Sequence, residues 1–490
     1  MGPGGLIMAL AAGAILTSAA GWAQDRVCAP EIARLADWIS PGAPVGISGD
    51  DLLLADPDDS VDPPGIHVYR DSGTGWEHAQ TILRPPGHSS RTFANRMAVD
   101  GDLLLTFDGE PFTTEVRAHL FRRDAGGVWS LEQSLPVEGA VQDASDCDLA
   151  GDLLVLSDDG DQFSPGKVVT FEHDGVSWTR RPDLVAPDSH PDDRFGSDLS
   201  LDSGRLVVDG APAASSNDEA IWSYVWQGGE WVFEELVATT PDVPDLAQHG
   251  GVLAFRPGGY FDPHIEVYRH DGQNWRAEAV LAPPPSTNLG TTVIAGPNRL
   301  AIFAWAGEHY GNLSGEVHLY KYDLGAWTHI ETIVAEDGYV DQEFGFQIAM
   351  EGEFLLCGSG EPPDFPSSTP YYLRDLSQPG QPCLSVEGPE PGIAGAVNRF
   401  EIRNGAPGAT VYMIAGRHSL PNQAIRVPGC PDTWIWETAG TQVYTITLDA
   451  NGDGEWVVFA PSAARRFELV VQALQAPGCR LSNAVRFQLQ

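Results

Sequence analysis

The chain has 490 residues, with 68 acidic and 28 basic side chains and a formal net charge of −40 at pH 7. A surface this acidic repels nucleic-acid phosphates and anionic lipid headgroups, so we expect no nucleic-acid partner. The chain contains 54 glycines and 38 prolines, yet 42% of its residues are hydrophobic, which indicates a turn-rich folded protein and excludes a disordered one.

Residues 1–23 predict an export signal. An apolar run over residues 5–20 precedes Gly21-Trp22-Ala23, a small-x-small sequence that is typical of a signal-peptide cleavage site. No later segment reaches the roughly 20 apolar residues that a membrane-spanning helix needs. We therefore expect a secreted, periplasmic or cell-surface protein with no membrane span after cleavage. An uncleaved anchor is the alternative.

A repeat of about 50 residues runs through residues 24–384. Each unit has a turn and a short apolar run, then an alternating strand, then a strand that begins with tryptophan. Seven apolar runs occur, from GDDLLLA to GEFLLCG, and no segment keeps the 3.6-residue apolar period of a helix. The tryptophans of the register are Trp38, Trp76, Trp129, Trp178, Trp231, Trp275 and Trp327.

Four short strands in each of seven units predict an all-β fold with a seven-bladed β-propeller over residues 24–384. The seventh unit has a strand at 371–375 but no tryptophan strand after it. Residues 31–39, which include Trp38, form an isolated strand before the first unit. We predict that this N-terminal strand pairs beside residues 371–375, because a closed ring leaves no free sheet edge.

The segment 194–212 contains Phe195-Gly196 followed by Gly210-Ala211-Pro212, and Phe344-Gly345 repeats the first of these elements. With these elements, residues 28–384 resemble the FG-GAP repeat propellers of integrin α-chains and their bacterial secreted relatives. The resemblance implies a seven-bladed propeller that is used for extracellular adhesion or ligand binding.

Residues 385–490 differ from the repeats in charge. From Leu384 to Gln490 there are nine acidic residues and eight arginines, so almost all of the negative charge lies upstream. We expect this segment to form a small Ig-like β-sandwich. Its sequences GAPGATVYMIAG and TITLDANGDGEWVVFAPSAA resemble the β-sandwich tails of planctomycete-type secreted proteins.

FG-GAP blades that bind calcium do so in an expanded hairpin between their first two strands. The hairpins of this chain, such as residues 100–102, are too short to surround an ion that takes six to eight oxygen ligands. We therefore expect no metal and no other cofactor. Asp158, Asp159 and Asp161 are weak candidates for a cation site, and Asx-type turns are the simpler interpretation.

The loops between second and third strands emerge together on one face of a propeller. In this chain they carry aromatic residues among Gly, Pro and acids, a composition that suits stacking on sugar rings or docking of a protein. Rings that pack beneath their own loops are the alternative. The candidate patch belongs to the fifth and sixth units and consists of Tyr260, Phe261, Trp305, His309 and Tyr310.

The chain has 13 histidines but no HExxH, GxSxG or CxxC sequence. We therefore interpret it as a monomeric binding or scaffold protein for a protein or glycan ligand, and not as an enzyme. The alternative is a carbohydrate-active enzyme, a glycosidase or lyase, with its site on the same face. Two converging carboxylates in a deep pocket would favour that alternative.

Six cysteines, an even number in an exported chain, predict disulfide bonds. Two of them lie in the C-terminal module, and two would meet at the seam if the N-terminal strand closes the ring. The remaining two lie in opposite blades. The expected pairs are Cys28–Cys383 and Cys430–Cys479, and the expected buried free thiols are Cys147 and Cys357.

Overall fold

In the computed structural model, the regular secondary structure of the described residues is almost wholly β-strand, which confirms the all-β expectation. One 3-10 turn, Ser462–Arg466, is the only helical element of the described residues, and none of their helices could cross a membrane. The expected export signal, 1–23, lies outside them. The structure describes residues 26–490 without 36–42, 57–64, 74, 87–92, 110–115, 138–144, 161, 162, 192, 213–217, 242–245, 259–263, 283–292, 297, 305–312, 337, 339–341, 361–368, 419–423, 428, 429, 437, 477 and 478.

Within the described residues up to 382, the strands form seven sheets that follow the sequence repeat, and all neighbouring strands are antiparallel except one pair in the sixth sheet. We number the sheets 1 to 7 in chain order. Two N-terminal strands, β1 (Arg26–Ala29) and β2 (Glu31–Leu35), precede sheet 1. Sheets 1 to 3 consist of β3 (Val45–Ser48), β4 (Asp51–Asp56), β5 (Gly65–Asp71) and β6 (Trp76–Leu83); β7 (Met97–Asp100), β8 (Leu103–Gly109), β9 (Val116–Arg123) and β10 (Trp129–Val137); and β11 (Cys147–Ala150), β12 (Leu153–Asp158), β13 (Lys167–His173), β14 (Trp178–Arg180) and β15 (Leu184–Val185).

Sheets 4 to 7 repeat the same order of strands. Sheets 6 and 7 also receive the N-terminal strands. The strands are β16 (Leu199–Asp202), β17 (Arg205–Gly210), β18 (Glu219–Gln227) and β19 (Glu230–Thr240); β20 (Leu246–His249), β21 (Val252–Phe255), β22 (Ile265–His270) and β23 (Trp275–Leu281); β24 (Val293–Gly296), β25 (Arg299–Ala304), β26 (Glu316–Asp323) and β27 (Ala326–Ala335), with β31 (Gln381–Pro382); and β28 (Phe344–Glu351), β29 (Phe354–Ser359) and β30 (Thr369–Asp375).

The sheets are arranged around a common axis in the manner of a β-propeller. Their first strands contact one another in a cycle, because β3, β7, β11, β16, β20, β24 and β28 each contact the next, and β28 contacts β3. Apolar clusters fill the spaces between neighbouring sheets. Between sheets 2 and 3, for example, Phe107 and Leu154 are buried. Each sheet is thus covered on both faces, which explains the unbroken apolar runs in the second strands.

Four of the repeated tryptophans connect their sheet to the preceding one. They lie near the start of the fourth strand of a sheet and donate their indole N–H to a polar group of the sheet before it. A tryptophan combines a large apolar surface with one donor, and this donor is satisfied across the boundary. The bonds are Trp129 Nε1 to Asp51 Oδ2 (3.0 Å), Trp231 to Thr170 Oγ1 (2.8 Å), Trp275 to Ser223 Oγ (3.0 Å) and Trp327 to Glu278 Oε2 (2.8 Å).

The N-terminal segment joins the last two sheets. β2 pairs antiparallel with β30, with Glu31 opposite Tyr372, and is the fourth strand of sheet 7. β1 lies beside β27 in sheet 6, parallel to it, and pairs antiparallel with β31. The sequence indicated one strand where the structure has two. Pro30 separates them because it has no N–H and a fixed φ. Trp38 lies outside the described residues.

Two disulfide bonds are present, and they are the pairs expected from the sequence. Cys28–Cys383 joins residues 355 positions apart at the seam, and Cys430–Cys479 joins residues 49 positions apart. The free thiols Cys147 and Cys357 are buried.

Residues 385–490 form a module of two facing sheets and a hairpin. Phe400 and Trp456 from one sheet and Met413 and Val471 from the other belong to its apolar core. Sheet 8 contains β32 (Ser385–Glu390), β33 (Val397–Arg403) and β38 (Gly454–Phe459); sheet 9 contains β34 (Thr410–His418), β37 (Thr438–Thr447), β39 (Glu468–Ala476), β40 (Arg480–Leu481) and β41 (Val485–Gln488); and the hairpin is β35 (Ala424–Val427) with β36 (Cys430–Trp436).

Replacing Cys28 and Cys383 together by serine should lower the free energy of unfolding of the ring more than the same change at Cys430 and Cys479 lowers that of the C-terminal module. In the chain-entropy model the seam bond, with its long loop, contributes about 6 kcal/mol and the shorter loop about 4 kcal/mol. Scanning calorimetry of both double variants measures the difference. An unchanged ring transition in the Cys28/Cys383 variant would show that strand pairing alone closes the seam.

Candidate functional site in the central channel

The ring of first strands encloses a central channel. The channel cavity has a volume of about 1060 Å³ and is lined by residues from sheets 1 to 5 and sheet 7. Its polar lining is dominated by carboxyl groups. They are Asp100, Asp146, Asp148, Asp152, Glu172, Asp202 and Glu351.

Most of these carboxyl groups bond to the backbone of the next sheet. A first strand has one edge that pairs with no other strand, so its N–H groups need other acceptors. An acid of the preceding sheet, about one repeat earlier in the chain, supplies such an acceptor. In each bond a backbone N–H donates to a carboxylate oxygen. The bonds run from Gly151 to Asp100 (2.6 Å), Leu199 to Asp146 (3.2 Å), Leu201 to Asp148 (2.7 Å), Leu246 to Asp198 (2.7 Å), Gly250 to Asp202 (2.7 Å) and Gly49 to Glu351 (3.1 Å).

The alternation of side chains along a strand places the acids at this boundary. In β11, Cys147 and Leu149 pack between sheets 2 and 3, while Asp146 and Asp148 reach sheet 4. The sequence analysis missed these acids. In the sequence these acids can be recognised by acidic or polar residues at every second position before a tight hairpin, as at positions 198, 200 and 202.

Burial raises the proton affinity of Asp146 and Asp148 in the channel. Desolvation raises the pKa of Asp148 to about 7, although the N–H groups of Leu201 and Leu149 favour its charged form. Desolvation also raises the pKa of Asp146, which is hydrogen-bonded to the Asp198 carboxyl group. A carboxyl group that titrates near neutral pH can donate or accept a proton, which is chemistry that ordinary surface acids do not offer.

The candidate aromatic patch lies outside the described residues, so its geometry is not part of the site. The strands that precede its two loops are described. β21 ends at Phe255 in sheet 5 and β25 ends at Ala304 in sheet 6, and these sheets are neighbours in the ring. The residues outside the described part are Tyr260, Phe261, Trp305, His309 and Tyr310.

The weak cation candidates serve the turn after β12. Asp158 is buried and lies 4.0 Å from Lys167 Nζ, and the Asp159 carboxylate accepts the hydroxyl of Ser145 at 2.6 Å. Asp161 is outside the described residues. In the part of the chain that is described, no three His, Cys, Asp or Glu side chains are grouped as a metal site.

No protein-family model matches this chain, and no curated protein matches it. Solved structures with a similar fold include a protein from Lactobacillus plantarum, at 16% identity and a TM-score of 0.43, over 61% of this chain and 86% of that one. A prolyl endopeptidase has 13% identity and a TM-score of 0.45, over 76% of this chain and 55% of its own. The β-propeller domain of the Trilobed protease from Pyrococcus furiosus has 11% identity and a TM-score of 0.43, over 70% of this chain and 100% of the domain.

This comparison corrects one expectation. The sequence analysis interpreted the chain as a non-enzyme and kept a carbohydrate-active enzyme as the alternative; the interpretation as a non-enzyme is contradicted, because the structures of similar fold include a prolyl endopeptidase and the β-propeller domain of a protease. Catalytic groups can come from separate repeats and then leave no contiguous motif, so a missing motif does not exclude them. The likeness concerns the fold alone and assigns no activity to this chain.

Asp148→Asn tests the channel carboxyl group. Because its folded-state pKa of about 7 lies above the ordinary value, protonation stabilises the fold at low pH, and this contribution is lost between about pH 4 and pH 7. Asparagine stays neutral. The melting temperature of the variant minus that of the wild type should therefore increase by about 2 to 4 °C between pH 5 and pH 8.

Asp152→Asn is the matched control, since Asp152 is exposed in the hairpin that follows the same strand. This variant removes a carboxyl group near Asp148 without removing a buried one. If both variants respond to pH alike, the raised proton affinity of Asp148 is not the cause.

Proposed function

We propose that this chain is an exported recognition or scaffold protein, built as a closed seven-bladed propeller of the FG-GAP type with a β-sandwich tail. The cyclic contacts of the seven first strands support the closed ring. The pairing of β2 with β30 supports closure by the N-terminal strand. The facing sheets of residues 385–490 support the sandwich.

The packing of the FG elements supports the family proposal. Phe195 and Phe344 are fully buried, and the glycine that follows each has a φ of +92°. The backbone of each phenylalanine lies against a glycine of the preceding sheet, Phe195 against Gly166 and Phe344 against Gly315. Each glycine comes just before the third strand of its sheet, and a Cβ at that position would collide with the phenylalanine backbone. FG in one repeat and glycine in the preceding repeat therefore form one packing unit between sheets.

Export is supported by the two disulfide bonds, because disulfides persist in oxidising compartments. Secretion, the periplasm and the cell surface are all consistent with them.

One observation carries the recognition hypothesis. β21 and β25 are the second strands of neighbouring sheets, and their first strands, β20 and β24, contact each other. Because each pair is antiparallel, the loops that follow β21 and β25 leave the ring on the same side. These loops contain the aromatic patch, and we propose that the patch contacts a protein or glycan ligand.

A carbohydrate-active enzyme is the second candidate, and the channel favours it. A glycosidase needs one carboxyl group that is protonated at neutral pH beside a second carboxylate. Asp148, with its pKa of about 7, has the property of the acid, and the neighbouring Asp146 is a second carboxyl group in the channel cavity. If the chain is such an enzyme, the wild type should cleave a polysaccharide, and Asp148→Asn should lower the rate of cleavage at least about 100-fold. Equal rates would exclude Asp148 as the acid.

The recognition hypothesis predicts that Trp305→Ala with Tyr310→Ala weakens binding at least about tenfold, because two stacking aromatics are lost. The mature protein is first screened on a glycan array and by pull-down, and the affinity for the best ligand is then measured by titration. Circular dichroism should show an unchanged fold.

Phe163→Ala is the matched control. Phe163 is 79% exposed in the corresponding loop of sheet 3. The Phe163→Ala variant should leave the affinity for the same ligand unchanged. A loss with Phe163→Ala and none with the double variant would move the binding face to sheet 3.

A further inference from the structure

A second cavity lies between sheets 8 and 9 of the C-terminal module and has a volume of about 300 Å³. Its walls are mainly apolar. Phe400 and Trp456 stack with ring centres 5.0 Å apart, and Tyr444 lies 5.0 Å from Trp456. The turn Ser462–Arg466 and Phe467 form part of its rim. This volume is at the lower end of the range for small-molecule pockets, roughly 300 to 1,000 Å³.

One positive charge faces this apolar space. Arg417 is the only charged residue among the described residues of the lining. Its guanidinium carbon lies 3.9 Å from the centre of the Phe467 ring, a cation–π contact that holds the charge against the apolar wall. The neutral polar groups in the lining are Gln442, Tyr444 and Asn398, and the Asn398 amide is already bonded to nearby backbone.

Arg417 has no carboxylate partner among the described residues, in a chain where 68 acids outnumber 28 bases. Arg465 and Arg466, in the turn that forms the rim, also have none. The other arginines whose side chains are described in this module are all paired. The pairs are Arg399–Glu455, Arg403–Glu401, Arg480–Glu336 and Arg486–Glu468.

We propose that this cavity binds an organic anion with an apolar body, of the alkyl or aryl carboxylate class. The apolar walls would take the hydrocarbon, about the size of an eight- to ten-carbon chain, and Arg417 would take the carboxylate through charge-assisted hydrogen bonds. Nine acidic residues against eight arginines leave the module almost neutral, so an anion meets little of the repulsion that the ring exerts. The site is independent of any ligand of the ring.

The test is a ligand-observed NMR titration of the full chain with two probes of equal length, octanoate and 1-octanol. Octanoate should bind at least about fivefold more tightly than 1-octanol, because only the anion gains the guanidinium contact. Arg417→Gln should lower the affinity for octanoate at least about tenfold and change the affinity for 1-octanol by less than about twofold. Arg417 is exposed, so this variant should fold.

Two further variants complete the test. Arg403→Gln removes a paired arginine outside the cavity and should leave both affinities unchanged. Ala463→Trp, at an exposed position of the lining, should abolish binding of both probes by filling the mouth. The proposal is overturned if octanoate does not bind, if both probes bind wild type equally, or if Arg403→Gln weakens octanoate as much as Arg417→Gln does.

Discussion

The inner edge of each sheet in the ring carries backbone N–H groups that no strand pairs with, and the ring needs acceptors for them. Water in a channel can satisfy some of these groups, but a carboxylate from the neighbouring sheet fixes the position of that sheet as well. Asp198, Ser200 and Asp202 illustrate this, because they accept from three alternate residues of β20, at 246, 248 and 250. Glu351 accepts from Gly49 and so extends the scheme from the last sheet to the first.

This scheme has an electrostatic cost that bears on function. The acids of neighbouring sheets lie close to one another and are partly desolvated, so their charged forms are disfavoured. Asp146 and Asp148 respond by holding protons more tightly, and the channel carries less negative charge at neutral pH than its composition indicates. The same arrangement therefore serves as a structural connection and as a source of groups that titrate near neutrality. Binding and proton-transfer chemistry are both compatible with it, and for this reason the missing motif could not exclude an enzyme.

The repeat was visible in the sequence because it is enforced locally. A tryptophan near the start of the fourth strand in sheets 1 to 6 and an apolar run in the second strand of every sheet recur at a readable spacing. The Cys28–Cys383 pair followed from the same register, and the Cys430–Cys479 pair followed from the position of both residues in the C-terminal module. The break at Pro30 was not foreseen, because the parallel pairing of β1 with β27 depends on residues 300 positions away. The cavity beside Arg417 was equally hidden, since its walls come from seven strands and a turn that are distant in sequence. The aromatic patch stays a prediction.

The seam couples the two parts of the chain. Cys28 and Cys383 lie in one apolar cluster with Cys430 and with Val334, Ile414, Leu474 and Leu481, so strands of sheet 6 and sheet 9 share a core. Arg480 of the module also lies 3.1 Å from Glu336, just after β27. A module attached only by a linker would have a polar surface at this point, whereas an apolar cluster requires that its two sides stay together. The C-terminal module therefore covers the place where the ring is closed by a short N-terminal segment, and its packing there opposes the departure of β1 from the edge of sheet 6.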